Sequence, residues 1–201
     1  MIKLSDIATT APEDMKKKEL RDETDALVER LGELQHLMYA EGKHSVLVVF
    51  QGMDGSGKDG AVRNVFARCT IAGLNLVSFK KPTEEEAAHD FLWRVHSKVP
   101  GKGMMTIFNR SHYEDILIQR VHQWITEERV KKRMAAINAF EELLLFDNNT
   151  HIFKFYMHIS KEEQAIQLRQ RIDDPSKHWK HNAGDWDERK CWDQYMEAYE
   201  Y

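Results

Sequence analysis

With 201 residues, 42% of them hydrophobic, the chain can bury one substantial core, so a single α/β domain over 1–201 is the default. A formal net charge of −4 excludes a globally basic nucleic-acid or membrane binder, and any polyanion site has to be local. The lone cysteines Cys69 and Cys191 suit a reducing, cytoplasmic setting, and no stretch has the apolar length of a signal peptide or a membrane span.

Residues 1–14 read as a loose arm. Leu27, Val28, Leu31, Leu34, Leu37 and Met38 then recur at helical spacing up to Gly42. Residues 44–50 (HSVLVVF) form a nearly continuous β-branched run, the mark of a strand buried on both faces of a parallel sheet. Val62, Val65, Phe66 and Cys69 make one helical face, and LNLVSF at 74–79 reads as a second strand. Thr83 and Glu86 fit a capping box opening a helix with Phe91, Leu92, Val95 and Val99 as its stripe, ended by Pro100 and Gly101. A third strand at 104–108 leads into a helix from Ser111 and a longer one over 127–147, whose inner face is Met134, Ile137, Phe140, Leu144 and Leu145. The fourth strand spans 151–159. Ser160 and Glu163 cap a helix to about 172, a polar, basic stretch follows, and a last helix runs over about 186–199. Alternating strands and helices predict helices on both faces of a parallel sheet, with ligands beyond the carboxyl ends of the strands, after Phe50, Phe79, Phe108 and Ile159.

GMDGSGKDG at 52–60 satisfies G-x-x-x-x-G-K in the context that motif needs, between a buried strand and a helix. Gly55, Ser56, Gly57, Lys58 and Asp59 are the expected phosphate binders: glycines turn backbone N–H groups inward, the helix N-terminus attracts anions and Lys58 adds a movable charge. Asp59 stands where P-loop NTPases usually carry the hydroxyl that holds magnesium. Asp54 lies inside the loop, where its carboxylate would repel bound phosphates unless a divalent cation lay between them, so Asp54 is expected to serve that cation. Both aspartates also favour a helix N-terminus electrostatically.

At the end of the third strand, where a Walker B aspartate would stand, is Asn109, followed by Arg110, Ser111, His112, Tyr113, Glu114 and Asp115. Arg110 suits charge developing on a transferring phosphoryl group, and Asp115 or Glu114 can complete a metal shell. Ser111 and Glu114 also fit a capping box, which would make Glu114 only a cap. Lys81 stands where an acceptor can bind, with His89, Asp90 and Arg94 on the following helix; Asp90 and Arg94, four apart, equally read as a surface pair. None of the ten histidines has the spacing of a convincing zinc site. Arg169, Arg171, Lys177 and Lys180, with His178 and His181, concentrate positive charge in and just before a segment at about 171–185 that contains Pro175 and Gly184, a stretch able to close over phosphates and exclude water, or simply a solvated loop.

Taken together, GMDGSGKDG, FKKPTEEEAAHDFLWRVH, FNRSHYEDILIQRVH, HISKEEQ and DDPSKHWKHNAGDWDERKCWDQYMEAYE resemble the second family of polyphosphate kinases over residues 20–201, closest to the SHYED-bearing class III variants. The resemblance implies an α/β, thymidylate-kinase-like P-loop kinase fold of three layers with a basic lid. It implies reversible transfer between inorganic polyphosphate and nucleoside mono- and diphosphates (AMP, ADP, GMP and GDP), with triphosphates as products. Magnesium is the implied cofactor, with manganese as a substitute, and a cytoplasmic homo-oligomer the implied assembly, with neither nucleic acid nor membrane as partner. Asp54 and Lys58 would belong to the phosphate loop, Arg110 and Asp115 to the transfer centre, and Glu114 to the position linked with accepting both AMP and ADP. Phe79, Lys81, His89, Asp90 and Arg94 would lie on the nucleotide side, and Arg171, Lys177 and Lys180 in the lid. Family members also run on past the position of Tyr201 into another strand and helix. An ATP-dependent nucleoside monophosphate kinase and a nucleotide-binding module without turnover are the rival readings, separable by the donor used and by turnover itself.

Overall fold

The computed structural model describes residues 3–201. In chain order it contains α1 (Lys17–Glu41), β1 (Ser45–Gln51), α2 (Lys58–Val65), β2 (Leu74–Ser78), α3 (Glu84–Ala88), α4 (Trp93–His96), β3 (Met105–Asn109), α5 (Glu114–Val121), α6 (Glu127–Asn148), β4 (Thr150–Tyr156), α7 (Lys161–Asp173), α8 (Gly184–Glu188) and α9 (Trp192–Glu200). The four strands pair in parallel in the order β2-β3-β1-β4. The connections from β1 and β3 leave in opposite directions, so the crevice beyond the carboxyl ends of these two neighbours is the topological switch point where open α/β sheets bind ligands.

Strand alternation divides the core into two layers. Leu47, Val49 and Phe108 meet Val95 of α4 and Phe140 and Leu144 of α6 on one face. Val48, Phe50, Met105 and Ile107 meet Val62, Phe66, Leu31 and Met38 on the other. Each fully buried side chain of this kind contributes about 1.5–3 kcal/mol relative to exposure. The predicted three-layer α/β architecture is therefore present.

Several local expectations change. The N-terminal arm is tied down: the Leu4 N–H donates to Glu200 Oε1 at 2.7 Å and the Ile7 carbonyl accepts from His158 at 3.2 Å, while residues 1–2 of the predicted arm lie outside the described residues. In α1 the inner face is Leu31, Gly32, Gln35 and Met38, whereas Leu27, Leu34 and Leu37 are exposed. Gln35 is buried because its carboxamide accepts the Thr70 N–H at 2.8 Å, and Gly32 because an added Cβ would sit 2.6 Å from the Arg68 carbonyl oxygen. The helix predicted from Thr83 through Val99 is two short ones. The capping box forms as expected, but His89 is extended and the Asp90 carboxylate accepts the Leu92 N–H at 3.0 Å, a local bond that competes with helical pairing. His89 and Asp90 thus lie in the break, not on a helix. In α6, Val130 and Glu141 are buried where Leu145 was expected. The helix predicted over 186–199 is interrupted by a 3-10 turn at Arg189–Cys191, and β4 ends at Tyr156, short of the predicted Ile159.

Candidate active site at the ends of β1 and β3

The loop leaving β1 is shaped by glycines with positive φ. Gly52 has φ 149°, and a Cβ there would lie 2.9 Å from Ser56 Oγ and 3.1 Å from the Met157 carbonyl oxygen; Gly57, φ 91°, is the N-cap of α2. Only glycine meets both demands without strain. Lys58 folds back into the loop, its Nζ donating to the carbonyls of Gly52 (2.6 Å) and Met53 (2.9 Å). Burial pulls its pKa down to about 8, against the partial support of Asp54. Gln164 of α7 donates to the Asp54 carbonyl at 2.9 Å and braces the loop from outside.

Arg110 reaches the loop from β3. It adopts φ 64°, a left-handed conformation that costs a residue with a Cβ on the order of 1 kcal/mol or more, and its N–H donates to the Phe50 carbonyl at 3.0 Å. Its guanidinium donates to the Asp54 carboxylate in a short ion pair. Burial pushes the Asp54 carboxyl up, but Arg110 and Lys58 outweigh it and hold the group below the usual carboxylate range. Asp54 is therefore ionised at neutral pH.

Glu114 stands on the same side. Gln51, the last residue of β1, donates to its carboxylate in a short hydrogen bond, and the Ser111 hydroxyl donates to Gln51 Oε1 at 3.1 Å. The Ser111–Glu114 capping box does not form, because Ser111 Oγ is committed to Gln51 and to the Tyr113 N–H. Burial raises the Glu114 pKa, offset in part by Arg110, Gln51 and Lys58, while neighbouring Asp54 raises it further. Tyr199 of α9 adjoins Gln51 and Glu114, its phenol pushed far up by burial and by Glu114.

Asp115 is taken up elsewhere, in a buried ion pair with Arg94 at 3.2 Å. Arg94 also donates to the Lys80 carbonyl at 2.8 Å and lies over the Phe79 ring, which itself packs edge-on against Phe108. The surface pair predicted between Asp90 and Arg94 is not made, since Arg94 is buried with these other partners. Lys81 is exposed; His89 stacks on Trp93 and, with Asp90, Phe91, Arg129, Lys132 and Arg133, lines a shallow pocket of about 300 Å³.

The basic stretch reaches the loop through Lys180, which follows α7, while Arg171 lies in the last turn of α7. Lys180 pairs with Asp59 at 2.5 Å, and Asp59 also accepts from Asn109 at 2.8 Å. Arg171 pairs with Asp185 at 2.6 Å and lies close enough to Asp54 to help hold it ionised. Among the described residues Lys177 contacts Gln170 and Asp174, both local, and Arg169 is exposed. A separate cavity of about 490 Å³, lined by Leu31, Met38, Phe50, Phe153 and Phe155 among others, is apolar and unsuited to phosphate.

Among the described residues, no three His, Cys, Asp or Glu side chains are grouped as a protein-only metal cage. Asp54 is nonetheless an ionised oxygen donor beside Glu114, and one or two carboxylates completed by substrate phosphates is the way magnesium is commonly held. The donor set fits such an ion.

The residues that sequence reasoning missed are Gln51, Gln164, Asp185, Glu141 and Tyr199. Gln51 carried a usable signal, a polar side chain closing a buried apolar strand; the others acquire their roles only by packing.

Comparison with known proteins agrees with this geometry. Residues 14–201 match the family model described as Polyphosphate kinase 2 (PPK2). The chain is 52% identical over 171 residues to the AMP/ADP-polyphosphate phosphotransferase of Meiothermus ruber, covering 85% of this chain and 64% of that protein. It is 44% identical to the ADP-polyphosphate phosphotransferase of Rhodopseudomonas palustris, covering 86% of this chain and 64% of that protein, so it spans a little under two thirds of the length of these relatives. The crystal structure of polyphosphate kinase 2 from Arthrobacter aurescens TC1 superposes with a TM-score of 0.94 at 42% identity, covering 98% of this chain and 72% of that one. The match over 14–201 to a chain folded in this way shows that the chain belongs to the polyphosphate kinase 2 family.

Proposed function

We propose that the chain transfers a phosphoryl group reversibly between inorganic polyphosphate and nucleoside mono- and diphosphates, with AMP and ADP as the principal acceptors and GMP and GDP as further candidates. The observation that carries this reading is the convergence of Lys58 and Arg110 on Asp54 at the switch point of a chain in this family. The relatives named for AMP/ADP and ADP support the adenine acceptors.

Phosphoryl transfer asks a protein chiefly for positioning and charge stabilisation. In this reading the amides of 55–59 and the Lys58 ammonium hold the donor phosphate, and Arg110 turns from Asp54 toward the oxygens that gain charge. A magnesium ion held there would supply neutralisation of that developing charge. Asp54 would hold it, with Glu114 nearby, while Asp115 acts through Arg94 on the nucleotide side with Phe79, Lys81, His89 and Asp90. Arg171 and Lys180 close over the chain of phosphates, Lys180 exchanging Asp59 for the substrate. Lys177 joins them only if the segment moves.

The test compares ATP with long-chain polyphosphate as donor to AMP, in the presence of magnesium. Faster transfer from polyphosphate supports the proposal. Transfer from ATP alone would make the chain a nucleoside monophosphate kinase, and binding without turnover would make it a nucleotide-binding module.

A further inference from the structure

The turn that carries Arg110 and Glu114 has a second half that does not face the phosphate loop. His112, fully buried, brings Nε2 within 3.2 Å of Glu141 Oε1. The Tyr113 hydroxyl donates to the same oxygen at 2.8 Å. Lys154 of β4 donates to Glu141 Oε2 at 2.7 Å and to the Tyr113 hydroxyl at 3.1 Å. Glu141 is itself buried, one residue after core Phe140 and three before core Leu144, where an apolar side chain would cost less to bury. Resting on the function proposed above, we propose that Glu141 is a positioning residue: it clamps His112 and Tyr113 to α6 and β4 so that the turn presents Arg110 and Glu114 to the phosphate loop.

Three features support this. Arg110 holds a left-handed backbone at φ 64°, which persists only where neighbouring contacts over-determine it. On one side those contacts are the Phe50 carbonyl and Gln51; on the other they are the Glu141 cluster, which grips two consecutive residues between the two that face the loop. The cluster also spans three elements, α6, β4 and the turn, so it fixes the turn against the sheet as well as against one helix. Finally, it is charge-matched. Burial pushes the Glu141 carboxyl up, but the His112, Lys154 and Tyr113 hydrogen bonds bring it down to about 2, and burial lifts the Tyr113 phenol to about 12, so carboxylate acceptor and phenol donor both persist at neutral pH.

The test uses Glu141→Gln, which keeps one acceptor oxygen but turns an amide toward the Lys154 ammonium, and Tyr113→Phe, which removes a single donor and keeps the ring. Hydrogen–deuterium exchange of peptides covering 109–116, thermal melting, and kcat and KM for AMP and ADP with polyphosphate are measured for each. The expected result is exchange at least threefold faster in 109–116 and unchanged in α1, a melting temperature within about 5 °C of wild type, kcat lower by about tenfold for Glu141→Gln and threefold for Tyr113→Phe, and nucleotide KM within twofold. The proposal is overturned if kcat stays within twofold of wild type in both variants, or if exchange accelerates uniformly along the chain and kcat falls only with the folded fraction. Should Glu141→Gln not fold, Tyr113→Phe decides by the same readings. If the wild-type chain itself transfers no phosphoryl group, the function proposed above fails, and the exchange measurement still accepts or rejects the clamp.

Discussion

Lys58 should make phosphate binding take up a proton at alkaline pH. Its ammonium is buried against carbonyl oxygens, and that burial pulls its pKa down to about 8. A bound polyphosphate would restore the charge balance and return the value toward that of an ordinary lysine, about 10.4. At pH 9 the free protein carries the ammonium in roughly one molecule in eleven, so binding should take up roughly 0.9 proton, against roughly 0.1 at pH 7. Affinity should accordingly fall about tenfold, or about 1.4 kcal/mol, between pH 7 and pH 9. Isothermal titration with polyphosphate in two buffers of different ionisation enthalpy, at fixed free magnesium, measures the uptake directly. Uptake below about 0.2 proton at pH 9, or the same uptake in Lys58→Ala, would refute the assignment. Stability gives an independent check. Because the folded-state value lies below the unfolded one, the unfolded chain binds more protons between about pH 8 and 10.5, and stability should rise with pH across that window. The fall from 10.5 to about 8 corresponds to about 3 kcal/mol, so Lys58→Met should stabilise the ligand-free protein at pH 7 and lose that advantage by pH 10.5.

Asp54→Ala should lower transfer at least a hundredfold with the fold retained, since charge positioning supplies most of the rate in this chemistry; a rate above about a tenth of wild type would remove Asp54 from the metal site. Glu114→Gln keeps the hydrogen-bonding shape beside Gln51 and removes the charge, so the AMP-to-ADP rate ratio should change while stability moves by less than about 1 kcal/mol, and an unchanged ratio would leave Glu114 a purely structural residue. Lys180→Ala should flatten the salt dependence of polyphosphate affinity by about one counterion and leave that of ADP nearly unaltered, whereas Lys177→Ala should alter neither; equal slopes in all three proteins would reduce the segment to a solvated loop.

How much of this was legible beforehand follows the physics of each feature. The strands at 44–50, 74–79 and 104–108 and the phosphate loop are local: β-branched runs and a glycine pattern determine backbone shape within a few residues, and the structure reproduces them to within a residue or so. Helix stripes were less secure. Leu27, Leu34 and Leu37 have the period of a buried face, but α1 turns Gln35 and Gly32 inward because Thr70 and Arg68 approach it there, a tertiary demand that no periodicity contains. Asp90 broke a helix that the apolar pattern carried straight through, since its side chain satisfied a backbone N–H locally.

The site shows the same division more sharply. Residue types were readable, partners were not. Arg110 and Asp54 are 56 residues apart, Glu114 and Gln51 are 63 apart, and Lys180 and Asp59 are 121 apart. These separations decide between readings that the sequence leaves equal. Ser111 and Glu114 satisfy the letter of a capping box, yet Gln51, delivered by the neighbouring strand, engages both side chains and turns the glutamate toward Arg110 and Lys58. Asp115 carries a carboxylate like that of Glu114 and is adjacent to it, but one step along a helix rotates its side chain by about 100°, and Arg94 meets it there. A carboxylate's role in such a turn is therefore set by which cation the sheet brings to its side of the helix. The basic segment is held at Asp59, the residue standing where a metal-holding hydroxyl is usual, by the same logic: Asn109 at the end of β3 donates an amide N–H to Asp59 where a carboxylate would repel it, and Lys180 pairs with it.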